Sequence, residues 1–132
     1  MDFSSLVLVE RDKATNNIIR ELGSYEVSEG AEYITKLFYD GSCIQLFFDT
    51  KRDVEEWEYT AIFDLFDITD FEKNGFEIID IDDEYNPTWL VKFPYDEEYS
   101  VVKNKLEVIC NLIKKHLNKV FVEIMVKKEN YI

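Results

Sequence analysis

A chain of 132 residues with 28 Asp and Glu, 15 Lys and Arg and a single His carries a net charge of −13, and it is 46% apolar and 15% aromatic. Those aromatics exclude an acidic disordered chain, which lacks the means to build a core. The charge argues against nucleic acid and membrane as partners, since phosphate backbones and anionic lipid surfaces are repelled.

From the start, SLVLVER alternates Leu6 and Leu8 against Val7 and Val9, the period of a half-buried strand, and DKATNN is a polar turn. IIRELGSYEV reads as its partner strand. EYITKLFY and SCIQLFFD flank Asp40-Gly41, which predicts a tight hairpin turn with positive φ angles. A short helix over residues 29–38 competes with the first of these strands, because Tyr33, Ile34, Leu37 and Phe38 also fit helical spacing.

DVEEWEYTAIFDLFD follows, without a basic residue. Asp53 and Glu56 have the spacing of a capping box, and the following acids suit a positive helix end. Val54, Trp57, Ala61, Leu65 and Ile68 fall on one helical face. Tyr59, Phe63 and Phe66 fall nearly opposite, with acids including Glu55, Glu56 and Asp67 in the gaps. A helix apolar on two sides needs two neighbours. One is the sheet; the other is a loop, the second helix or another protein.

TDFEKNG reads as a turn ending at Gly75. FEIIDID then alternates Ile79 and Ile81 against Asp80 and Asp82, and TWLVKFPY alternates Trp89, Val91, Phe93 and Tyr95 against Leu90, Lys92 and Pro94. YNP joins these two strands as a second hairpin, and Pro94 marks an edge or a strand end. Over residues 97–118, Val102, Leu106, Ile109, Ile113 and Leu117 predict an amphipathic helix. Acids at its start and Lys114, Lys115 and Lys119 at its end match the helix dipole. VFVEIMVKK reads as a last strand, with Val120, Val122, Ile124 and Val126 on one face. The expected fold is one α+β domain over residues 1–132: a largely antiparallel sheet of about six or seven strands covered by two main helices.

Charge is uneven along this plan. Residues 53–98 hold sixteen acids against Lys73 and Lys92, a net of −14, whereas residues 103–132 hold seven Lys against three Glu, a net of +4. Such a field attracts a basic protein surface. Two cysteines, Cys43 and Cys110, are too few for a disulfide framework and read as buried thiols of a reducing compartment. No basic run precedes an apolar segment at the start and no apolar run reaches spanning length, so the expected location is cytoplasmic. Twelve Lys against three Arg, thirteen Ile and three Ala point to an AT-rich bacterial genome.

Chemical motifs are absent: no G-x-S-x-G, no P-loop, no G-x-G-x-x-G. His116 stands among lysines and reads as a solvated or capping residue rather than a zinc ligand. Asp80, Asp82 and Glu84 have the alternate spacing of a calcium loop, but Tyr85 occupies the obligatory glycine position and Val91 that of the closing glutamate. A weak cation site among Asp80, Asp82, Asp83 and Glu84 survives as a minor reading. No catalytic residue, cofactor or resident metal is expected.

The runs MDFSSLVLVERDK, ELGSYEVSEGAEYITKLFY, FDTKRDVEEWEYTAIFDLF and EYNPTWLVKFPYD resemble an uncharacterised family of small acidic proteins of clostridia and related low-GC bacteria. RDVEEWEY and EYNPTWLVKF are the most specific parts. The resemblance implies a bacterial, cytosolic, single-domain protein and brings no site residues with it. The function expected from the residues is a non-enzymatic protein–protein interaction module. Tyr59, Phe63, Phe66, Glu55, Glu56 and Asp67 would meet a protein partner with a basic or amphipathic surface. A homodimer is a further possibility. The alternative is a small-molecule or cation binder with a pocket between sheet and helices, lined by Trp89, Phe93, Tyr95 or Phe47.

Overall fold

The computed structural model describes residues 4–132, and six strands among them form one sheet: β1 (Ser4–Arg11), β2 (Ile18–Val27), β3 (Ile34–Tyr39), β4 (Ile44–Asp49), β5 (Glu77–Ile81) and β6 (Thr88–Phe93). Their spatial order is β2-β1-β3-β4-β6-β5, antiparallel throughout except where β1 runs parallel to β3. One face is covered by α1 (Glu56–Leu65), the short α2 (Thr69–Lys73) and the long α3 (Tyr99–Val126). The α+β class and the largely antiparallel sheet are as expected, with α1 and α2 forming one bent helical unit beside α3.

Turn chemistry sets the hairpins. Between β1 and β2, Asp12 Oδ1 accepts the N–H groups of Ala14 and Thr15, each at 2.9 Å. Between β3 and β4, Asp40 Oδ1 accepts from the N–H of Ser42 at 2.8 Å and of Cys43 at 2.9 Å. Only Gly41 there takes a positive φ, of 93°. The connection is therefore a four-residue loop held by the Asp40 side chain, not a turn with Asp40 itself left-handed.

The parallel pair arises from a crossover at the end of β2. Ser28 donates its N–H and its hydroxyl to the two Glu107 carboxylate oxygens of α3, at 3.0 and 2.8 Å. Gly30 follows at φ 110°. Its backbone lies so close to α3 that a side chain would bring Cβ to 2.1 Å from the Cys110 carbonyl oxygen. From there the chain returns through a 3-10 turn, Ala31–Tyr33, to lay β3 beside β1. The competing helix over residues 29–38 is thus limited to that single turn.

Four expectations are corrected. The proposed last strand over Val120, Val122, Ile124 and Val126 is the end of α3, which runs 28 residues, about 42 Å, from Tyr99 to Val126. Val120 and Ile124 are buried whereas Val122 and Val126 are 66% and 78% exposed. That pattern continues the 3.6-residue stripe of Leu106, Ile109, Ile113 and Leu117, and neither Gly nor Pro intervenes to stop the helix. Lys114, Lys115 and Lys119 therefore sit inside α3 rather than at its end. Helix α1 starts at Glu56, with Glu55 as its N-cap, not at Asp53. On β5 the inward residue is Ile78, opposite Val91, while Ile79 faces outward opposite Leu90.

A single contiguous core lies between sheet and helices. It joins Leu8, Ile44, Leu46, Phe48, Trp89 and Val91 from the strands to Leu106, Ile109, Ile113, Leu117, Val120 and Ile124 from α3. Each such side chain contributes about 1.5–3 kcal/mol by leaving water. Pro94 directly follows β6 and ends it, as expected.

Candidate functional site

Helix α1 is fixed at its start by its own acids. The Glu55 N–H donates to Glu58 Oε1 at 3.0 Å, and Glu55 Oε2 accepts from Trp57 Nε1 at 2.6 Å. Glu58 also faces Arg52 at 3.5 Å. Carboxylates near the first turn complement the partial positive charge of the helix end.

Both apolar arcs of α1 find partners within the chain. Phe66 stacks on Trp89 of β6 with centroids 4.3 Å apart, and Phe63 lies 5.2 Å from the same ring. On the other side, Trp57 sits beneath the Lys128 ammonium, 5.3 Å from the ring centroid. Phe66 is only 7% exposed and belongs to the core with Phe48 and Phe71, so it offers no contact surface; this corrects its place among the expected docking residues. Burial of a large ring against the sheet outweighs its exposure beside acids.

What remains on the outside is a narrower surface. Glu56, Thr60 and Asp64 are exposed and recur at helical spacing, which makes a ridge along α1, and Asp67 is exposed just past its end. Tyr59 and Phe63 are half-buried beside it, edge to face at 5.3 Å. The Tyr59 hydroxyl donates to the Glu84 carbonyl oxygen at 2.9 Å and pins the loop between β5 and β6 to the helix. Burial raises the Tyr59 phenol above its usual pKa, and the carboxylates of Asp82, Asp83 and Glu84 raise it further. Two acidic groups thus flank the pair of rings: the α1 ridge on one side and the loop on the other. Among the described residues, Glu55, Glu56, Asp64, Asp67, Asp82, Asp83 and Glu84 form no salt bridge. The Asp67 carboxyl is held below its usual range by the Thr69 hydroxyl and backbone N–H.

His116 is not solvated. It is 3% exposed, and its Nε2 lies 2.8 Å from Asp70 Oδ2 of α2, between the rings of Phe66 and Phe71. Lys115 reaches the same carboxylate oxygen at 3.2 Å. The other ring nitrogen, Nδ1, is buried and has no hydrogen-bond partner among the described residues. This pair closes α2 onto α3. Asp70 is 46 residues away in sequence, so only the position of His116 at the margin of the α3 apolar stripe hinted at it.

The residues expected to line a pocket are not brought together. Trp89 and Phe93 are in the core, Tyr95 packs on Tyr39 at 4.9 Å, and Phe47 lies on the opposite face of the sheet. Burial raises the Asp80 carboxyl, with Asp82 adding to the effect. Asp80, Asp82, Asp83 and Glu84 do not converge on one point, and among the described residues no three carboxylate, thiol or imidazole groups gather as a metal would require. Cys110 is buried, its thiol pushed up to about 12 by desolvation, whereas Cys43 is half-buried. No described helix is long and apolar enough to cross a membrane.

Residues 1–132 match a family of unknown function, DUF6762, and the chain belongs to that family. No curated protein and no solved structure matches it.

Proposed function

We propose that this DUF6762 protein is a non-enzymatic, bacterial, cytoplasmic interaction module that docks a partner with a basic or amphipathic surface on the outer side of α1. The contact set is Glu55, Glu56, Asp67, Tyr59 and Phe63, joined by Asp64 and by Asp82, Asp83 and Glu84 of the facing loop. One observation carries the reading: two half-buried rings lie between two groups of carboxylates that form no salt bridge among the described residues. Carboxylates without an internal cation steer a basic surface toward the site and fix its orientation, and the half-buried rings supply contact area once it arrives.

Affinity capture from source-cell extract, comparing the wild type with a Glu56→Lys, Asp64→Lys, Asp67→Lys variant, tests this. All three positions are exposed, but Asp67 also accepts the Thr69 N–H at 2.9 Å, so circular dichroism is used to confirm the fold and the Glu56→Lys, Asp64→Lys pair alone serves where the triple variant departs from wild type. The expected result is a basic protein retained by the wild type at low salt, released as salt rises, and missing from the variant. Identical captured sets would remove the proposal.

A further inference from the structure

The helices cover one face of the sheet and leave the other open. Register places Lys36 opposite Phe47, Phe38 opposite Gln45, and Leu90 opposite both Phe47 and Ile79, all with side chains on the open face. Val9 of β1 pairs with Phe38 there, and Arg11 follows two residues on. Phe38 and Phe47 stack on one another across β3 and β4, with centroids 6.3 Å apart and planes 20° from parallel. The Arg11 guanidinium lies 5.5 Å from the Phe38 centroid and the Lys36 ammonium 5.4 Å from that of Phe47.

A cleft of about 140 Å³ opens beside this pair of rings, lined by Arg11, Asn16, Lys36, Phe38 and Phe47. Its wall holds two cations and no acid, in a chain where acids outnumber bases 28 to 15. Neither Arg11 nor Lys36 has a carboxylate partner among the described residues. An adjoining cleft of about 230 Å³ shares Arg11, Asn16 and Phe38 and reaches Asp12 and Asp40. Those two carboxylates are occupied with loop N–H groups and with the Gln45 amide.

A cation resting on a ring face is held weakly, and either one gains more from an anion. Flat apolar cover would instead bury both charges unpaired. A polyanion meets the repulsion of the whole −13 molecule with every phosphate, whereas a ligand with one anionic group meets it once. We propose that this cleft binds a small planar aromatic ligand bearing a single phosphate or carboxylate group, its ring packed against Phe38 and Phe47 and its anion held by Arg11 and Lys36. This site is on the face of the sheet away from α1; the docking loop approaches it only through Glu84, which lines a neighbouring cleft of about 190 Å³ with Lys36, Phe47 and Asp49.

The test is an amide NMR titration of the full chain with adenosine monophosphate and with 1-naphthoate, adenosine and inorganic phosphate serving as half-ligands. At millimolar probe, shifts should concentrate on β1, β3 and β4. Lys36→Ala and Arg11→Ala should each weaken binding roughly tenfold or more; Lys36 is exposed, whereas Arg11 is half-buried and donates to the Asn16 carbonyl oxygen at 3.0 Å, so the Arg11 variant is read only where its spectrum keeps the wild-type dispersion outside the β1–β2 loop. Binding of the mononucleotide alone assigns a phosphate ligand; binding of naphthoate alone assigns a carboxylate. Absence of response to both probes, adenosine binding as tightly as its monophosphate, or unchanged affinity in both variants would overturn the proposal.

Discussion

His116 is held inside the molecule by one carboxylate at 2.8 Å and two aromatic rings. Replacing it with Ala removes that bond and opens a void beneath α2, at a cost of about 2–3 kcal/mol, which urea denaturation would register as a lower midpoint at unchanged slope. The partner reports through pH. His116 first, then Lys115, lower the Asp70 carboxyl below its ordinary 3.8. A lowered folded value means the contact is fully present above the unfolded value and is lost as pH falls through the folded one. Wild-type stability should therefore fall more steeply than that of Asp70→Asn in the acid range below about pH 5, and parallel curves would rule this coupling out. Gly30 is the other residue on which the fold turns. At φ 110°, with the Cys110 carbonyl where a Cβ would go, Gly30→Ala should destabilise by about 3 kcal/mol, and a loss below about 0.5 kcal/mol, the range of ordinary surface changes, would mean that the crossover tolerates a side chain.

The end of α3 shows what decides between helix and strand. Val120, Val122, Ile124 and Val126 alternate as a strand would, but Val120 and Ile124 also continue the helical stripe from Ile113 and Leu117. A β-branched run satisfies both periods, and tertiary packing chooses. Val122→Glu and Val126→Glu should each change stability by no more than about 0.5 kcal/mol, whereas Ile124→Ala should cost about 2–4 kcal/mol. Equal effects at all three positions would restore the strand. The same reasoning sorts what was legible elsewhere. The β1–β2 and β3–β4 hairpins could be read from local turn chemistry at residues 12–17 and 40–43, and the β5–β6 hairpin from the YNP turn, with alternation in the flanking strands. The two apolar arcs of α1 were visible too, but not which of them meets the sheet, since that depends on where Trp89 lies. The parallel pairing of β1 with β3 and the His116–Asp70 contact join residues far apart in the chain, and no local pattern encodes either. Of the expected site, Tyr59, Phe63 and the acids remain at the surface, and Phe66 went inside because a ring stacked on Trp89 is better buried than wet.

At the scale of the molecule, like charge is concentrated rather than spread. Of the sixteen acids in residues 53–98, Glu56, Asp64 and Asp67 on the α1 side and Asp82, Asp83 and Glu84 on the facing loop form no salt bridge among the described residues. Such crowding opposes the compact state, and salt screens it over about 8–10 Å at physiological strength. Thermal midpoints should rise as salt is raised from low to moderate concentration, because screening relieves more repulsion than it removes from the exposed ion pairs; a falling midpoint would mean that attractive pairs dominate. The docking proposal is tested most directly by carbodiimide footprinting of carboxylates, read by mass spectrometry on the isolated protein and on the protein in source-cell extract. Glu56, Asp64, Asp67, Asp82, Asp83 and Glu84 should label readily in isolation and be shielded in extract, while Glu21 and Glu26 on the distant edge strand β2 label equally in both. Equal labelling of the ridge and loop in the two conditions would contradict it.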